Sequence, residues 1–360
     1  MRPLFLCTTV LRGLAKAPRC FVGAGKMVVR VAVIGAGVMG ADHAKIIAQD
    51  VPHACLQLVC DMDGARARAV ADATSAVDCT DDPEAALLRE DIDAVIIASP
   101  DFTHAPYTKT LIARGKRVLC EKPLSQKIDE CLDVMAAEQA TGAHHIMVGF
   151  MRRYDRAYFD MREALAKGVL GRALMMHNFH RNLATPYPSF TGAMAITNSA
   201  PHEFDIARYL LGVEVTTITA HQPKRSDDVV APVVMVLETD DDQLITVEVN
   251  NNAAYGYDVR AELVGELGSI STNKVAHSRL DTRLSSAIRY DEDWRGHYHD
   301  AYVAQNRDFM GFVQTGILPE AAASTWDGYA AALVADTGVR ALHSGVKERV
   351  EMIKKPAFYA

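Results

Sequence analysis

Residues 29–34 (VRVAVI) are almost wholly apolar, the pattern of a strand buried on both faces of a parallel sheet. Similar runs recur at 56–60, 94–98, 117–122 and 146–150. Stretches of helical periodicity separate them: up to about 49, around Arg66 and Arg68, from Asp82-Pro83, over 103–113 and over 125–141. Asp82 suits an N-cap, Pro83 a first turn, and Ser125 is expected to cap the last of these helices. Strands alternating with helices predict βαβ units and a doubly wound parallel sheet. After residue 150 the rhythm changes. A helix is expected at 156–167, a strand at 174–180 and a helix at 201–211. Strands then follow in series at 215–221, 233–239, 244–250 and 259–263, and helices at 302–313 and 329–342 close the chain. Strands in series predict a largely antiparallel open sheet with helices on one face. The fold class is therefore α/β, with a nucleotide-binding type of domain at 27–150 and a second α/β domain at 151–360.

Composition narrows the function. The chain has 360 residues, 49% of them hydrophobic and 23% charged, which suits two globular domains. A net charge of −7 without a basic block argues against nucleic acid or an anionic membrane as partner. No apolar run approaches the roughly 20 residues of a membrane helix. The seven cysteines are odd in number, irregularly spaced and without a C-x-x-C, so no disulfide framework or zinc site is expected; a reducing, cytoplasmic compartment fits. Residues 1–26 carry Arg2, Arg12, Lys16, Arg19 and Lys26 and no acid. Targeting peptides share such features. A disordered extension, or a start codon set too early with Met27 as the working start, is the preferred reading because a strand follows directly.

Three stretches carry candidate chemistry. Gly35-x-Gly37-x-x-Gly40 stands between a buried strand and a helix, the context of a dinucleotide-binding loop, with Val38 and Met39 at the helix start. Asp61 ends the second strand, where an acid bonds a ribose 2′-hydroxyl and repels a 2′-phosphate, so NAD is favoured over NADP. Next, Lys122 lies at the end of a strand that Pro123 cannot continue, and open α/β sheets bind ligands just beyond such ends. The turn from Ser99 to His104 ends a neighbouring strand; His104 either borders the nicotinamide side of the cofactor or caps the next helix. Finally, His202 and Asp205 are three apart after Pro201 and share a helical face. A histidine there has a suitable pKa to take a proton from an alcohol.

The order of the Gly-rich loop, Glu121-Lys122-Pro123, the Gly149–Asp155 stretch (GFMRRYD) and His202-Glu203-Phe204-Asp205 resembles the Gfo/Idh/MocA oxidoreductase family. His180-Arg181-Asn182 and Tyr255-Gly256-Tyr257-Asp258 are similar to its inositol 2-dehydrogenase branch. The resemblance implies that Lys122 polarises the reacting hydroxyl and His202 removes its proton. Arg152, His180, Asn182, Asp205 and Tyr257 would hold the other hydroxyls of a cyclic polyol, and Glu121 would line the cofactor site. It also implies NAD as cofactor, no metal, and a homotetramer or homodimer formed through an apolar open sheet face. The branch usually has an aspartate four residues before the histidine; here the position is Asn198. Asparagine can orient the imidazole but gives the imidazolium no full charge, unless Asp205 takes that role. An aldose 1-dehydrogenase or keto-sugar reductase is the alternative enzyme, and an NAD-bound sensor without turnover the alternative of another class.

Overall fold

The computed structural model describes residues 28–225, 227, 229–272 and 279–360; the basic segment 1–26 lies outside them. Six strands form one sheet: β1 (Val29–Ile34), β2 (Ala54–Cys60), β3 (Asp78–Thr80), β4 (Ala94–Ile97), β5 (Arg117–Cys120) and β6 (Ile146–Val148). All pair in parallel in the order β3-β2-β1-β4-β5-β6. The connecting helices are α1 (Val38–Gln49), α2 (Gly64–Thr74), α3 (Pro83–Leu87), α4 (His104–Ala113) and α5 (Ile128–Thr141). Ala32 and Ile34 of β1 point into one core cluster and Val31 and Val33 into another, which is why the strand is apolar throughout. The strand order reverses between β1 and β4, and this opens a crevice at their carboxyl ends.

The second sheet holds β7 (Ala173–Arg181), β8 (Val215–His221), β9 (Val233–Thr239), β10 (Leu244–Asn250), β11 (Asp258–Gly265) and β12 (Ser269–Ser271). β13 (Arg279–Thr282) and β14 (Ser285–Ile288) pair apart from it, and β15 (Glu348–Arg349) closes it in the order β12-β11-β7-β10-β9-β8-β15. Only β7 and β10 are parallel; the other pairs in this sheet are antiparallel. The remaining helices are α6 (Arg156–Ala166), α7 (Gly192–Met194), α8 (Pro201–Leu211), α9 (Trp294–Thr315) and α10 (Thr325–Ser344). Phe204 of α8 and Val334 of α10 share a core cluster with Met235 and Val247, so these helices cover one sheet face. α9 instead sends Tyr298, Tyr302 and Phe309 into the cluster around Val31 and Val33. The C-terminal half of the chain thus packs on the parallel sheet through α9.

Three expectations change. The uncovered sheet face is mixed rather than apolar: the Arg181 and Arg260 guanidiniums lie 5.3 and 5.1 Å from the Phe179 ring centroid, and Arg181 pairs with Glu248 at 2.7 Å. Ser125 does not cap α5. Lys127 is at the cap position, while the Ser125 hydroxyl accepts from the Lys127 N–H and donates to Glu130. Reduced cysteines hold at Cys60, Cys79, Cys120 and Cys131 and fail at Cys55, which is disulfide-bonded.

Candidate active site

The Gly-rich loop has the geometry of a phosphate cradle. Gly35 has φ +95°, and a Cβ there would lie 2.5 Å from the Ala98 carbonyl oxygen. A Cβ on Gly40 would lie 1.7 Å from the Gly35 carbonyl oxygen, so the helix can approach the strand only with glycine. At Gly37 no protein atom lies within 4 Å of such a Cβ. That open space faces the start of α1, where Gly37 is the N-cap and no side chain takes the first-turn N–H groups. Asp61 closes the loop by accepting from the Ala36 N–H at 2.7 Å. Arg66 folds back onto Asp61 and Asp63, at 3.4 and 3.2 Å. These residues fit a dinucleotide of the NAD type.

Lys122 follows β5 at the edge of a cleft of about 510 Å³. Its N–H donates to the Glu121 carboxylate, whose other oxygen is 2.9 Å from His43 Nε2. Its Nζ donates to the backbone carbonyl of Asn198 at 3.0 Å. Burial pushes the Lys122 pKa down, and Glu121 and Asp101 resist. Asn198 belongs to a single π-helical turn, Ala195–Ser199, that leads into α8. Wide turns of this kind recur at functional sites because they re-aim the backbone. His202, in the first turn of α8, lines the same cleft. Burial, then Lys122, Arg152 and His180, hold its pKa well below the ordinary histidine value, and its Nδ1 has no hydrogen-bond partner.

Met39, Glu121, Lys122, His180, Asn182, Asn198, His202 and Tyr257 all border this cleft. Gly35, Gly37, Val38, Gly40, Asp61 and Ser99 follow the carboxyl ends of β1, β2 and β4 and do not line it. Four expected roles are not met in this geometry. Arg152 is buried beside His180, donating to Glu203, with its other terminal nitrogen 3.2 Å from His180 Nδ1 and Tyr298 beneath its guanidinium. Asp205 takes both ends of the Arg153 guanidinium at 2.9 and 2.6 Å, because a buried arginine needs a carboxylate, and so does not serve His202. The Asn198 side-chain oxygen accepts from Thr197 and Gln126 instead of meeting His202. His104 is buried with both ring nitrogens on backbone carbonyls, so neither is free for the cofactor, and its side chain caps no helix.

The structure adds residues that the sequence did not reveal. Glu203 is fully buried and lies 3.0 Å from His180 Nδ1. Burial opposes its charge, but Arg152 and His180 outweigh burial and hold its carboxyl below the usual range. Asn251 lines the cleft, donates to the Ser199 hydroxyl at 3.2 Å, and leaves its buried side-chain oxygen without a partner. A polar atom so placed awaits a hydroxyl. Trp294 and Tyr302 of α9 complete the wall. Among the described residues no group of three metal-binding side chains occurs, and no helix is long and apolar enough to cross a membrane.

Comparison with known proteins bears on this geometry. Residues 29–150 match the model of the oxidoreductase family with an NAD-binding Rossmann fold, and 158–271 match the GFO/IDH/MocA C-terminal domain. The chain belongs to the Gfo/Idh/MocA family. It is 40% identical over 341 residues to inositol 2-dehydrogenase 2 of Saccharopolyspora erythraea, covering 93% of this chain and 99% of that one. It is 37% identical to the inositol 2-dehydrogenase of Gluconacetobacter diazotrophicus, with 93% and 100% covered. The crystal structure of myo-inositol dehydrogenase from Lactobacillus casei, in complex with NAD(H) and myo-inositol, matches at a TM-score of 0.87 and 29% identity. That match covers 93% of this chain and all of the other. As Gfo/Idh/MocA proteins do, the chain pairs a parallel dinucleotide sheet with a mixed, mostly antiparallel one.

Proposed function

We propose that this protein is an NAD-dependent dehydrogenase that oxidises a ring hydroxyl of a cyclic polyol, myo- or scyllo-inositol, to the ketone. The observation that carries this reading is one cleft holding Lys122, His202, His180, Asn182, Asn251 and Tyr257 beyond the strand ends of the dinucleotide sheet. A polyhydroxylated ring needs many fixed donors and acceptors, and these supply them. The Lys122 ammonium bonds the reacting oxygen and stabilises the alkoxide character that develops on it. His202, kept neutral by its surroundings, receives the hydroxyl proton at a ring nitrogen. When bound, NAD supplies the hydride acceptor at its nicotinamide ring. His180, backed by Glu203 and Arg152, orients a neighbouring hydroxyl. Residues 27–150 hold the cofactor and 151–360 the substrate in this reading. The protein works as a homotetramer or homodimer in the cytoplasm, with the exposed face of the second sheet as the contact.

The test is NADH formation with NAD and with NADP over a panel of inositols and aldoses. Turnover of an inositol with NAD is expected. Turnover of an aldose but of no inositol would replace the substrate. NAD binding without turnover of either would favour a sensor.

A further inference from the structure

His104 opens α4 outside the cleft, with its ring only 1% exposed. Its Nδ1 is 2.7 Å from the Pro123 carbonyl oxygen and its Nε2 is 2.8 Å from the Ser99 carbonyl oxygen. A carbonyl oxygen only accepts. A neutral imidazole has one N–H, so one nitrogen would set a bare lone pair against a carbonyl. The imidazolium alone donates at both. We propose that His104 is a doubly protonated positioning residue whose cation ties the turn after β4 to the turn that carries Lys122.

The connection continues on either side. The β4 turn lies against the Gly-rich loop: a Cβ on Gly35 would be 2.5 Å from the Ser99 N–H nitrogen. Beyond Pro123, the Lys122 Nζ reaches the Asn198 carbonyl. One side chain therefore bridges the cofactor loop and the lysine that meets substrate. The groups facing the ring favour the charge. Burial opposes it, but the Cys120 sulfur at the end of β5, the Pro123 carbonyl and Asp101 on the turn before α4 outweigh burial, and the imidazole is pushed up to about 10. Both N–H groups of the imidazolium end on carbonyl oxygens, so neither is left unsatisfied in the interior.

This inference rests on the dehydrogenase reading only where it concerns turnover, and its test has two arms. In the full chain labelled with ¹⁵N-histidine, the His104 resonances, assigned by their loss in His104→Gln, are expected to be those of an imidazolium at pH 8. A neutral tautomer there overturns the proposal. In the second arm, His104→Phe should lower kcat by about 10- to 100-fold, as expected when a reacting group is misplaced by about an ångström. NAD affinity should be unchanged, and His104→Gln, whose amide keeps two N–H donors, should recover part of the loss. An unchanged kcat in His104→Phe overturns the positioning role. Wild-type protein inactive on every polyol and sugar counts against the dehydrogenase reading, and the NMR arm still decides His104. If His104→Phe does not fold, the same NMR arm and His104→Gln carry the test.

Discussion

At the scale of single residues, the place of Lys122 and His202 in the cleft was legible because their chemistry and their local positions coincide. A lysine before a proline at a strand end, and a histidine just inside a helix, need no knowledge of distant contacts. Lys122→Met should cut kcat by at least about 10²-fold, the loss seen when one transition-state donor is removed, with NAD affinity intact by fluorescence titration. The Arg152, Asp205 and Asn251 roles were not legible, since each depends on which partner a buried polar group finds across the fold. His202 is held well below its ordinary pKa and its Nδ1 is unpaired, so the acid limb of kcat/KM should fall below pH 6.5. Asn198→Asp should leave that limb in place, because the side chain at 198 meets Thr197 and Gln126 rather than the ring. A limb moved to higher pH would show that a carboxylate at 198 reaches the ring and favours the imidazolium. His104 has the opposite sign. A histidine with its folded pKa raised stabilises the fold fully below its unfolded value, about 6.5, and loses that contribution as pH rises through about 10. Wild type should therefore lose more thermal stability than His104→Gln between pH 7 and 10.5.

At the scale of elements, the parallel sheet was readable because β1, β2, β4 and β5 are buried and show apolar runs. β3 was missed because it is three residues at the sheet edge, one of them exposed and two half-buried. The first turns of α9 were missed as well, since Trp294 to His299 is mostly polar and hides the helical period. α8 holds two kinds of group. His202 faces the cleft, while Asp205 anchors Arg153, which also meets Asp327 at 3.1 Å. Asp205→Asn leaves buried positive charge short of a partner and should destabilise the protein by about 3–5 kcal/mol in denaturant unfolding. KM for the polyol should change little. A raised KM at unchanged stability would instead return Asp205 to the substrate site.

At the scale of the whole molecule, the two halves meet through α9, through α10, whose Thr325 donates to Glu138 of α5, and through the bond from Lys122 Nζ to the Asn198 carbonyl at the cleft. The exposed face of the second sheet was expected to be apolar and is a mosaic of Phe179, Arg181, Glu248 and Arg260. Strand register set opposite charges beside the aromatic ring, which no single strand's pattern reveals. For the proposed assembly through this face, reversing a charge there, as in Glu248→Arg, should raise the monomer fraction by light scattering. The crossing bond has a separate consequence for how such a site can diverge. The lysine is anchored to main chain, and every amino acid brings the same carbonyl. Position 198 can therefore change its side chain, and with it the contacts to Thr197 and Gln126, while the ammonium stays where it is. The side chain at this point of the cleft wall can drift through mutation without displacing the electrophile.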